Sequence, residues 1–172
     1  MNGKAAPFFC ENMCENMCEN MGMTTATQNA ESDAAFSWPV RVYYEDTDSG
    51  GVVYYANYLK FLERARSEWL RALGFGQIEL LRDFNVLFVV RRAEIDYLKP
   101  AVFDDLLTVT VREHEAGRSW IELDQTIARR TIDRDSILVK ARIKVACVNG
   151  LTFKPVAMPA QLQFAKNKTG VQ

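Results

Sequence analysis

Between Tyr58 and Leu73 the apolar side chains return at helical spacing: Tyr58, Phe61, Leu62, Ala65, Trp69, Ala72 and Leu73 form one stripe. Lys60, Glu63, Arg64, Ser67, Glu68 and Arg71 fall mostly off it, and Gly74 then supplies the residue a left-handed helix stop favours. A helix this long and this apolar needs a surface to lie against. The rest of the chain offers strands. Val40, Val42 and Tyr44 alternate with Arg41, Tyr43 and Glu45 ahead of the helix. After it, Gln77–Asp83 allows a short helical turn, and Val86–Lys99 reads as a strand stopped by Pro100, with Val89, Arg91, Ala93, Ile95 and Tyr97 on one face. Leu107, Val109 and Val111 mark another strand, then Ile121, Leu123, Gln125 and Ile127, then Ile137, Val139, Ala141, Ile143, Val145 and Cys147. Asn149-Gly150 is a tight-turn dipeptide, with room for a short closing strand at Leu151–Lys154. The expected order is strand, long helix, then four or five strands in hairpin sequence. That is an α+β fold, one curved antiparallel sheet wrapped around one long central helix. A lone sheet of this kind has unpaired edges, so a homodimer or homotetramer is expected.

The helix is preceded by a different kind of sequence. Asp46-Thr47-Asp48-Ser49-Gly50-Gly51 is a polar, glycine-rich turn that brings two carboxylates close to a helix start. A helix start presents unpaired N–H groups and partial positive charge. Carboxylate, bare donors and a flexible approach together describe a reaction site.

The run DTDSGGVVYYANYLKFLERAR, preceded by WPVRVYYE, resembles the motif of the hotdog-fold acyl-CoA thioesterases. The likeness extends over about Phe36 to Phe164. It is to the 4-hydroxybenzoyl-CoA thioesterase type, and above all to the small thioesterases encoded beside the Tol-Pal cell-envelope genes of Gram-negative bacteria. The Tol-Pal-associated members often carry His where this chain has Tyr55; the 4-hydroxybenzoyl type has Tyr. The resemblance therefore implies hydrolysis of an acyl-CoA thioester, with an aromatic acyl group as the alternative. It places Asp48 at the catalytic carboxylate position, as nucleophile or as a base for water. It places the Tyr55 backbone N–H where the thioester carbonyl is polarised, a role a donor backed by a helix dipole suits. Gly50, Gly51, Val52 and Asn57 are expected to meet the substrate, Asn57 either there or as support for the loop. Asp46 reads as a turn former. A dimer of dimers is the implied assembly.

Other classes fit less well. A hotdog dehydratase would want a histidine near the helix start, and the only one, His114, lies far from it. No serine stands in a G-x-S-x-G elbow, and no residues have metal-ligand spacing, so neither metal nor cofactor is expected. A non-catalytic module holding acyl-CoA or acyl carrier protein is the remaining alternative; a buried Asp48 would argue against it.

The whole chain has 172 residues and a net charge of −1, which does not suit nucleic acid as main partner. Beyond residue 38, 20 basic residues face 17 acidic ones, a mild excess that suits a phosphate-bearing substrate. Arg91, Arg92, Lys99, Lys140, Arg142, Lys144 and Lys154 are the candidates to meet it. No run is long and apolar enough to span a membrane, and the N-terminus lacks a secretory pattern, so a cytoplasmic place is expected. Residues 10–21 read CENM three times. Such a repeat reads as low complexity, giving a disordered tail over 1–35, a thioesterase domain over 36–165 and a flexible end over 166–172. Cys10, Cys14 and Cys18 make an incomplete zinc set, and Met21 or Met23 offers an alternative start.

Overall fold

In a computed structural model, which describes residues 35–130 and 136–162, the apolar stripe becomes helix α1, Asn57–Ala72. The tails expected before residue 35 and after residue 165 lie outside the described residues. Tyr58, Phe61, Leu62 and Ala65 of α1 are buried, as the periodicity requires. The last turn differs: Leu70 is buried, while Ala72 and Leu73 are exposed. Lys60, Glu63 and Arg64 stand in solvent, on the face of α1 that points away from the sheet. Gly74 ends it at φ +89°, a conformation only glycine adopts without strain, its N–H donating to the Arg71 carbonyl.

Five antiparallel strands form the sheet: β1 Phe36–Arg41, β2 Val86–Tyr97, β3 Leu106–Ala116, β4 Trp120–Arg129 and β5 Ser136–Asn149. Their spatial order is β1-β3-β4-β5-β2. Only β3, β4 and β5 follow one another as neighbours; β2 pairs with β5 at the far edge, so the expected hairpin sequence does not hold there. The chain must therefore return from one edge to β3, which lies beside β1, and the segment Leu98–Asp105 makes that crossing. A second helix, α2 at Gln77–Phe84, is a full two turns and joins α1 to β2.

Three local events shift the sequence-derived pattern. First, β1 ends at Arg41 and the chain winds into a 3-10 turn at Tyr44–Asp46, because the Asp46 carboxylate accepts the Tyr43 N–H at 2.9 Å. Val40 and Val42 stay buried, but Tyr44 turns outward. Second, a bulge between Val90 and Arg92 adds one residue to β2. Phe88 and Val90 pair with the inward Cys147 and Val145, and after the bulge Ala93, Ile95 and Tyr97 pair with Ile143, Ala141 and Val139. Val89 and Arg91 thus do not share the face of Ala93, since one inserted residue exchanges the faces. Third, an irregularity opposite Ile127 and Ala128 lets Leu138 point inward and leaves Ile137 exposed. The closing strand at Leu151–Lys154 is reduced to a single bridge between Val148 and Pro155, the turn being held by the Asn149 side chain, which accepts from the Leu151 and Thr152 N–H groups.

Leu107, Val109, Val111, Leu123, Ile127 and Ile143 meet Phe61 and Leu62 in the core. One polar residue joins them. Gln125 is 1% exposed; its amide donates to the Leu62 carbonyl at 3.2 Å and its oxygen accepts from Arg66 at 2.8 Å. Tyr58 is also buried, and its hydroxyl accepts the Ala101 N–H at 2.8 Å.

Phe61 is fully buried, so Phe61→Ala should cost about 3–5 kcal/mol of unfolding free energy, read from the urea midpoint at unchanged slope. Burial pushes the ionisation of Tyr58 above the ordinary tyrosine value, with the hydrogen bond from Ala101 pulling it partly back. Unfolded Tyr58 therefore loses its proton first on the alkaline side. Its contribution is complete below about pH 10 and is lost as pH climbs from there through the folded value. Tyr58→Phe should be less stable than wild type at neutral pH, since Ala101 loses its acceptor, but should show a shallower decline above about pH 10 in pH-dependent denaturation.

Candidate active site

The loop before α1 is a small hairpin. Asp48 N–H donates to the Val52 carbonyl and Gly51 N–H to the Asp48 carbonyl, both at 3.0 Å, and Thr47 bridges to Val53. Gly51 stands at φ +74°, where a side chain would be strained. A Cβ on Gly50 would lie 3.0 Å from the Asp48 carboxylate, whose Oδ1 accepts the Gly50 N–H at 2.8 Å. Gly50 thus lets the backbone pass close to the carboxylate, and Gly51 turns the hairpin. Asp48 is exposed in the single chain, so the cost-of-burial argument against a binding module does not apply there. Gly50 is the one hydrogen-bond donor to its carboxylate among the described residues, which leaves its other oxygen open.

Val53 is buried and its N–H donates to the Ala101 carbonyl at 2.9 Å, while Val52 bridges to Val102. The crossing segment is therefore stitched to the Asp48 loop. Next comes the turn Tyr54–Ala56. Tyr54 N–H donates to the Asp46 carbonyl at 2.9 Å and Asn57 N–H to the Tyr54 carbonyl at 2.8 Å. Ala56 is the N-cap of α1 and offers no side-chain acceptor, and the first turn carries no acid. The positive end of α1 is thus left uncapped. Tyr55 lies one residue before that cap, and among the described residues no group accepts its N–H.

The Tyr55 side chain is 61% exposed, tilted against Tyr54 with ring centroids 4.6 Å apart and edge-on to Tyr97 at 6.5 Å. The Tyr97 hydroxyl donates to the Tyr55 carbonyl at 3.2 Å. Val53, Tyr55, Tyr58, Tyr97, Leu98, Lys99 and Pro100 line a cleft of about 270 Å³ at this spot. Hydrogen bonding to Tyr55 above all, then the charge of Tyr55 and burial, raises the ionisation of Tyr54, with the Asp48 charge the smallest contribution.

Asp46 and Asn57 are the buried polar members. Asp46 is 4% exposed and holds the 3-10 turn; Asn57 is 6% exposed and its amide donates to the Asp46 carbonyl at 3.0 Å. Asp48, Gly50, Gly51 and Val52 thus share one hairpin that is joined to the turn carrying Tyr55, while the Asn57 side chain points into the loop behind it. Tyr58 and Tyr97 line the cleft at Tyr55 without having been singled out for it, and so does Lys99, which was expected only as one of seven candidates to meet a phosphate. Periodicity marked Tyr58 and Tyr97 only as strand or helix faces; the one available signal was a hydroxyl on each of two core-facing rings.

The remaining candidates lie elsewhere. His114 pairs with Asp124 at 3.0 Å, and Arg142 pairs with the same carboxylate at 2.9 Å. Lys144 faces Glu122, and Arg92 pairs with Glu94. Arg142 and Lys144 alternate with the buried residues of β5 and so point away from α1. Of the basic candidates, Lys99 is the one that lines the tyrosine cleft, its ammonium donating to Ser136 at 3.0 Å.

Residues 50–134 match the family model described as the thioesterase superfamily. The chain is 49% identical over 133 residues to the acyl-CoA thioesterase YbgC of Haemophilus influenzae, which spans 77% of this chain and 95% of that protein. It is 42% identical over 127 residues to the acyl-CoA thioester hydrolase YbgC of Escherichia coli, covering 74% and 92%. Among solved structures, a probable thioesterase from Bartonella henselae superposes with a TM-score of 0.68 at 38% identity, covering 73% of this chain and all of that one. With a five-stranded antiparallel sheet, one long helix packed on it and this identity over nearly the whole length of its relatives, the chain belongs to the hotdog-fold thioesterase superfamily, in its YbgC group.

Proposed function

We propose that this thioesterase hydrolyses acyl-CoA to a free carboxylic acid and CoA at the surface shared by Asp48 and Tyr55. One observation carries the reading: an open carboxylate and an unaccepted backbone N–H flank an uncapped helix start. The thioester oxygen is held by the Tyr55 N–H. Asp48 either takes a proton from water, whose oxygen attacks the carbonyl carbon, or attacks that carbon itself to give a mixed anhydride that water then opens. In both routes the C–S bond breaks and its electron pair leaves with the CoA sulfur, which collects a proton. The oxygen gains charge in the transition state, where a fixed donor with a helix dipole behind it helps most.

Gly50, Gly51 and Val52 let the substrate pass close to the backbone. An acyl carrier protein presents the same kind of thioester and is a second donor. The identity with the YbgC proteins supports a Tol-Pal-associated role. Among the described residues no helix is long and apolar enough to cross a membrane, which is compatible with the cytoplasmic place where acyl-CoA would be met. The cleft formed by the rings of Tyr55, Tyr58 and Tyr97 favours a second reading, an aromatic acyl group, since flat rings stack and pack edge-on against one another. Rates over short, long and aromatic acyl-CoAs separate these readings, and no hydrolysis of any would end the proposal.

The free side of β2, with Val90 half exposed on it, supports pairing between two copies. A homodimer or homotetramer is expected by light scattering at micromolar concentration; a stable monomer would refute it. Asp48→Asn keeps shape but removes charge and basicity, so turnover should fall about a hundredfold or more while a non-hydrolysable acyl-CoA still binds. Tyr55→Phe should change turnover little, because the donor is backbone. Wild-type turnover in folded Asp48→Asn would remove Asp48 from the chemistry.

A further inference from the structure

We infer that Asn57 is a positioning residue, not a substrate contact: its side chain clamps the Asp48 loop to the start of α1 and so fixes the carboxylate relative to the Tyr55 N–H. The inference rests on the hydrolase reading above and adds a residue to it.

The Asp46 carbonyl is the anchor. It accepts two donors, the Tyr54 N–H at 2.9 Å and the Asn57 amide at 3.0 Å. Asp46 lies two residues before Asp48, and Tyr54 one residue before Tyr55. Asn57 is the first residue of α1 and is 6% exposed, so its amide is committed to this bond and turned away from the surface where substrate would lie. Among the described residues it is the only side chain of α1 bonded to the loop Asp46–Val53. The rest of the loop is held by its own hairpin and by the crossing segment at Val52 and Val53, which reaches the helix indirectly, through the Ala101 N–H on the Tyr58 hydroxyl. Without the amide, the Asp48 hairpin and the helix start are joined through the Tyr54 peptide and, at one remove, through Ala101, which links Val53 to the Tyr58 hydroxyl. Catalysis at this site needs carboxylate and donor at a fixed separation, and small misplacements are costly in rate. The same bond does little for ground-state affinity.

Kinetics and amide exchange of purified full-length variants test this. In Asn57→Ala, and in the shape-matched Asn57→Asp, kcat should fall about tenfold or more with KM changed less than about twofold. A rise in KM at unchanged kcat would make Asn57 a substrate contact, and unchanged values for both would remove it from the site; either overturns the inference. Exchange reads the clamp without substrate. The Tyr54 and Asp48 amides should exchange about tenfold faster in Asn57→Ala, while amides in β3 and β4 keep their protection. Unchanged exchange at Tyr54 would overturn the clamp whatever the activity. If the wild type hydrolyses no acyl-CoA but the exchange result appears, the clamp stands and the proposed reaction falls. Asn57→Ser, which keeps a donor on a shorter arm, serves where the other variants fail to fold.

Discussion

The backbone of Ala101 is the point on which the loop before α1 depends. Its N–H is accepted by the buried Tyr58 hydroxyl and its carbonyl accepts the Val53 N–H. One fully buried residue of the crossing segment is thereby tied both to the core face of α1 and to the Asp48 loop. Neither group could be left unpaired at that depth without a penalty of about 1–3 kcal/mol. The crossing exists because β2 lies at the far edge of the sheet, so the chain must travel back past the helix start to reach β3. The topology thus delivers Tyr97, Leu98, Lys99 and Pro100 to the same cleft as Val53 and Tyr55.

The helix start shows a choice between stability and use. An Asp or Ser N-cap in place of Ala56 would add about 0.5–2 kcal/mol to the helix. It would also occupy N–H groups and place an acceptor where the proposed oxyanion would sit. The acids of this region are held off instead. Asp46 is folded back onto the Tyr43 N–H, and the Asp48 oxygen is partly occupied by Gly50. The dipole of sixteen residues is then unopposed at the turn that carries the Tyr55 donor. The tyrosine rings around it supply an apolar wall with polar tips, suited to a group that is carbonyl at one end and hydrocarbon or ring at the other.

The sheet shows how far alternation can be followed. Over Leu107–Val111 of β3 and Ile121–Ile127 of β4 every second residue points to α1 as its sequence implies, down to Gln125, which takes an inward position and satisfies both ends of its amide on the helix. In β2 and β5 a single extra residue reverses the faces on either side of it. The hydrophobic pattern cannot show such an insertion, because Val89 and Val90, or Ile137 and Leu138, are equally apolar; pairing with the neighbouring strand selects which one turns inward.

By itself the sequence determined that one apolar helix must lie on an antiparallel sheet, since the two periodicities admit no other partner for that stripe. It also placed a carboxylate, two glycines and a helix start in consecutive positions, and a motif of that length carries its family with it. Tertiary structure decided the rest. Strand order sets which distant residues reach the helix start, and order depends on long-range pairing that local pattern does not encode. Burial assigned Asn57 and Asp46 to the loop's interior and left Asp48 open, because the direction of a polar side chain follows from which carbonyls the fold leaves within its reach.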